Sequence, residues 1–130
     1  MPTMQTRTSS VVVAFLLTAL LAACSPGDQR AAAPAYLETG RQGIVRLIVV
    51  TADVARDADQ LWRIAERLRG NDQAIQVMFW TDKVLAPSQL PITDAQRRTQ
   101  VAQINVNRYS RLRELVPMNG HEFAAAKQPD

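Results

Sequence analysis

Two short, nearly uninterrupted apolar runs bracket a stretch of helical periodicity, and that order leaves few folds open. Ile44-Val-Arg-Leu-Ile-Val-Val-Thr51 and Ala74-Ile-Gln-Val-Met-Phe-Trp-Thr81 are rich in β-branched or aromatic residues, as in strands buried on both faces. Between them Val54, Ala58, Leu61, Trp62, Ala65 and Leu68 recur at spacings of three and four. Arg56, Asp57, Asp59, Arg63, Glu66 and Arg67 lie mainly elsewhere on the same helix. Asp53 is placed to cap its start, and Gly70-Asn71 to end it. Strand, helix and strand of these lengths predict a right-handed crossover with parallel strands.

Farther along, Thr93-Asp-Ala-Gln96 matches a capping box and opens a short helix. Ala102, Ile104 and Val106 alternate with Gln103, Asn105 and Asn107, which predicts a third strand with one polar face, at the sheet edge. Leu112, Leu115 and Val116 suggest a last helical turn within Arg111 to Val116. The expected fold is therefore α/β: a small two-layer domain over residues 44–116, with a β-α-β crossover, a third edge strand and one main helix on the sheet. Residues 24–43, with Pro26, Gly27, Pro34, Gly40 and Gly43, read as a linker. A flexible coil of that length has a typical reach of about 24 Å. Residues 117–130 read as a loose tail.

A single helix covers one face of such a sheet. The other presents Ile48 and Val50, or Met78 and Trp80, depending on orientation. Either the segments at 93–100 and 111–116 cover that face as core, or it binds another protein.

The 130 residues suffice for one domain, and a lone cysteine excludes an intramolecular disulfide framework. All of the 15 basic residues except Lys83 and Lys127 are arginine, for a formal charge of +3. That bias reflects either a GC-rich coding sequence or recognition of anions, which guanidinium forks match better than ammonium groups do.

The N-terminus supplies an address. Met1 to Ser10 carries one charged side chain, Arg7, and an uncharged apolar run then extends from Val11 to Ala23. As a helix that run is about 20 Å long, short of the roughly 30 Å hydrocarbon core. A positive start, a short apolar run and small residues at its end describe a secretory signal peptide over residues 1–23. Cleavage after Ala33 instead would have to fall before Pro34, well beyond the apolar run.

The run ends in Leu21-Ala22-Ala23-Cys24, which resembles the lipobox of bacterial lipoprotein precursors. The resemblance covers roughly the first 25 residues and implies nothing about the remainder. It implies a diacylglyceryl group on the Cys24 thiol, cleavage before Cys24 by signal peptidase II, and acylation of the new amine, with palmitate for example. Two or three chains, at about 0.8 kcal/mol per buried CH₂, anchor stably where one does not. Ser25, standing where an aspartate favours inner-membrane retention, implies the outer membrane, facing the periplasm.

Two constellations bear on chemistry. Asp53 and Asp82 each follow a strand by one or two residues, at the carboxyl edge where open α/β sheets bind ligands, with Lys83 alongside. Such a pair can hold Mg²⁺ against a phosphate, but a helix cap and a turn explain the two residues equally. Arg97, Arg98, Arg108, Arg111 and Arg113, with Tyr109 among them, form a basic cluster. It is either a solvated face or a contact for lipid phosphates, lipopolysaccharide or an acidic protein. Behind an export signal, nucleic acid is not expected. His121, the only histidine, lies in the tail without the partners of a triad or metal site. No cofactor or metal is expected. The leading expectation is a lipid-anchored, non-enzymatic domain that binds an envelope protein or a second copy of itself. The competing one is a metal-dependent enzyme or ligand binder built on Asp53 and Asp82.

Overall fold

The computed structural model describes residues 34–125. The expected signal peptide, Cys24, most of the expected linker up to residue 33 and the end of the expected tail lie outside the described residues. Among the described residues are five strands and three helices: β1 (Leu37–Gln42), β2 (Val45–Val49), α1 (Ala52–Arg56), α2 (Ala58–Arg69), β3 (Ala74–Trp80), α3 (Asp94–Thr99), β4 (Ala102–Asn107) and β5 (Leu112–Pro117). The strands make one mixed sheet in the order β1-β2-β3-β4-β5. β2 and β3 are parallel, from Val45 opposite Gln76 to Val49 opposite Trp80, and the other neighbours are antiparallel.

The class is α/β, with two more strands than the sequence suggested. β4 is not an edge strand, because β5 pairs along its whole length, from Asn107 opposite Leu112 to Ala102 opposite Pro117. The segment expected as a helical turn is β5 itself. Leu112-Arg-Glu-Leu-Val116 fits either period, and the tight turn that Asn107 begins selects the strand by returning the chain along β4. Likewise Leu37–Gln42, expected as linker, is β1. Gly40, one of the residues that suggested a linker, is there for close packing: a Cβ would collide with the Ser88 carbonyl.

The expected single helix is two. Thr51, not Asp53, caps α1, its hydroxyl accepting from Val54 N at 3.4 Å. At Asp57 the backbone turns extended (φ −104°, ψ 102°), and its carboxylate accepts from the N–H groups of Asp59 and Gln60 to start α2. Gly70, at φ +54°, ends α2 in a conformation that side chains disfavour. The Asp57 carboxyl lies below its ordinary pKa, first through the Gln60 side-chain amide, against some burial, and then through those backbone N–H groups. A depressed carboxyl stabilises fully above its unfolded value near 3.9 and loses that contribution as pH falls through the folded value. Asp57→Ala is accordingly expected to lose about 1 kcal/mol at neutral pH. The gap to wild type should close on acidification, as followed by thermal melts across pH.

Leu61, Ile64 and Ala65 of α2 and Ala55 of α1 share one core with Ile48, Val50, Ile75, Val77, Phe79, Ala102, Ile104 and Val106. Alternation therefore turns Leu47, Met78 and Trp80 to the other face. The loop after β3 covers the carboxyl-end half of that face. Trp80 and Leu47 are buried, the Trp80 indole donates to Gln96 O at 2.8 Å, and Thr39 Oγ1 donates to Pro87 O at 2.7 Å. Elsewhere on that face an amide relay runs from Gln100 through Gln103 and Asn105 to Glu114.

The residues after β5 extend the domain. The His121 ring is bonded to Ala55 O at 2.6 Å, Ala124 N donates to Arg56 O at 2.7 Å, and Phe123 packs against the core. His121 thus has a structural partner, and this part of the expected tail straps α1. No helix among the described residues is long and apolar enough to cross a membrane.

Candidate functional site

The sheet end formed by the start of β3, the end of β4 and the start of β5 gathers four arginines and one glutamate. Asn107 stands opposite Ala74 on one side and Leu112 on the other. Beyond it the chain turns sharply: Asn107 Oδ1 accepts from Tyr109 N at 3.0 Å and Ser110 N at 3.3 Å, and Arg111 sits at φ +58°. Asn is a residue that suits such side-chain-to-backbone turns. The last turns of α2 reach the same end, since Gly70 stops the helix there. Glu66, Arg69, Val106, Asn107, Arg108, Arg111, Leu112 and Arg113 together line a cleft of about 430 Å³.

One carboxylate organises two of the four guanidinium groups. Arg69, one turn after Glu66, donates through Nε (3.1 Å) and Nη2 (2.9 Å) to Glu66 Oε2, and through Nη1 to Asp72 O at 3.0 Å. Only 8% of Arg69 is exposed. Arg113, projecting from β5, donates to Glu66 Oε1 and lies 4.0 Å over the Trp62 ring, a cation–π contact. Partial burial works to raise the Glu66 pKa, but the hydrogen bonds from Arg69 and Arg113 outweigh it and hold the carboxyl below its usual range. Arg108 and Arg111 are exposed, and their side chains make no hydrogen bond or ion pair among the described residues. The cleft therefore holds three positive charges in excess, two of them on free forks.

The structure divides the basic cluster expected from sequence. Arg108, Arg111 and Arg113 meet in the cleft, whereas Arg97 and Arg98 lie on α3, within the connection at the opposite end of the sheet. Arg69 takes their place. Sequence reasoning missed it because the arginines it joins in the cleft come from a hairpin whose second strand reads as a helical turn. Its position in the last helical turn before Gly70 was the available signal.

Asp53, Asp82 and Lys83 are all exposed at the carboxyl ends of the parallel pair. Asp53 lies in the first turn of α1, and Asp82 Oδ1 accepts from Val84 N at 2.8 Å in a local turn. Among the described residues, no group of three or more His, Cys, Asp or Glu side chains is arranged to hold a metal. Adding Mg²⁺ or Mn²⁺ should leave the melting temperature unchanged. A site at these carboxylates would instead stabilise by about 2.7 kcal/mol at a hundredfold excess over Kd. Such a shift, lost in both Asp53→Asn and Asp82→Asn, would restore the metal-site reading.

No family model matches the chain, and neither curated proteins nor solved structures show a significant similarity to it.

Proposed function

We propose that this chain is the precursor of a membrane-anchored lipoprotein, cleaved before Cys24, whose small α/β domain is a non-enzymatic docking module for an anionic envelope partner. In this reading β2, the helices and β3 form a right-handed crossover, with α2 the main helix on the sheet. The lipobox resemblance supports the anchor and the periplasmic face of the outer membrane.

The cleft with four arginines and one glutamate carries the docking reading. The chain enters the sheet at Leu37, opposite Val49, whereas the cleft lies at the other end, beside Ala74 and Asn107. The amide relay argues against the second sheet face as the docking surface, since it offers no continuous apolar patch.

A photo-reactive residue at Tyr109, 84% exposed on the hairpin tip, tests the proposal in intact envelopes. A discrete crosslinked species is expected, and it should disappear when Arg108 and Arg111 are both changed to Glu at unchanged protein level. Equal capture by the charge-reversed variant would refute docking through the cleft.

A further inference from the structure

We infer that the cleft receives a phosphate group, an inference that rests on the docking reading and narrows its chemistry. Glu66 already occupies the place that a partner's carboxylate would take: Arg69 forks onto one of its oxygens, and Arg113 bonds the other. What remains for a ligand is the whole of Arg108 and Arg111, with Arg69 and Arg113 lining the same cleft. These donors belong to four separate guanidinium planes and leave three charges in excess. One planar, singly charged carboxylate offers two oxygens, which bond at most two of these groups as Glu66 does, and cancels one of the three charges. A phosphate monoester carries about −1.5 to −2 charges and three terminal oxygens, so it bonds several forks at once.

Two observations show that the site is prepared rather than incidental. Arg69 and Arg113 are fixed before any ligand arrives, one by burial with three hydrogen bonds and the other by Glu66 and the Trp62 ring, which limits the ordering cost of binding. Arg111 holds φ +58° at a turn position that Gly or Asn occupies with less strain. A strained arginine whose side chain has no partner among the described residues points to a role for that side chain outside the fold.

The test uses the full-length chain in neutral detergent micelles at low salt, titrated calorimetrically with inorganic phosphate, dihexanoyl phosphatidic acid and hexaglutamate. At least one phosphate probe should bind about tenfold or more tighter than hexaglutamate, with affinity falling as salt is added. Preference between the two phosphate probes assigns the source, a free phosphate or a lipid head group. Arg111→Gly and Arg108→Ala should each weaken phosphate about tenfold or more. Arg111→Gly should meanwhile melt no lower than wild type, because glycine accepts the left-handed backbone. Hexaglutamate binding as tightly as phosphate would overturn the phosphate assignment and leave docking to an acidic partner standing. Undiminished phosphate binding in both variants would place the site elsewhere and overturn the inference, and failure of all three probes would overturn the docking reading with it.

Discussion

Leu61→Ala is expected to cost about 2–5 kcal/mol, a large fraction of the stability available to a domain this small. Leu61 is completely buried, in the one core that joins α2 to Ile48, Phe79 and Ile104. Truncation removes transfer free energy and leaves a cavity that a helix pinned by the Asp57 cap and by Gly70 has little freedom to close. Val84→Ser is the control, at 89% exposure, and should stay within about 0.5 kcal/mol of wild type. Urea unfolding gives the comparison. A midpoint shift for Leu61→Ala no larger than that for Val84→Ser would contradict the packing of α2 on the sheet.

Cys24→Ser should have an all-or-none effect on maturation. Under the lipoprotein proposal the thiol is the only atom that can carry the diacylglyceryl thioether, and cleavage follows that modification. The variant should take up no radiolabelled palmitate and accumulate at precursor size. Normal labelling and cleavage of the serine variant would refute lipidation at Cys24.

The elements legible in the sequence are those whose pattern has one physical solution. β4 announces itself by strict alternation, with Ala102, Ile104 and Val106 buried and the residues between them only half-buried. The Thr93–Gln96 capping box forms with both of its hydrogen bonds, Gln96 N to Thr93 Oγ1 at 3.2 Å and Thr93 N to Gln96 Oε1 at 2.9 Å. β1 was illegible because Leu-Glu-Thr-Gly-Arg-Gln has no apolar face. It is held by ladder bonds to β2, by the Thr39 hydroxyl donating to Pro87 O and by the close approach of Gly40 to the Ser88 backbone. β5 was ambiguous because Leu112, Leu115 and Val116 satisfy a helical spacing as readily as a strand, and tertiary pairing decides. The cleft was half legible for the same reason. Its three hairpin arginines stand out in the sequence, but Arg69 joins them only once β5 folds back beside α2. The break at Asp57 was hidden by apolar spacing that continues through it, although its carboxylate is a better cap for α2 than a mid-helix side chain.

The most direct test of the proposed anchored module is the intact mass of the mature chain extracted from envelopes. The account predicts a protein beginning at Cys24, heavier than its polypeptide by a diacylglyceryl group and an N-acyl chain, with base hydrolysis removing the two ester-linked acyl chains. A mature chain beginning elsewhere, or one whose Cys24 thiol is free, would contradict it.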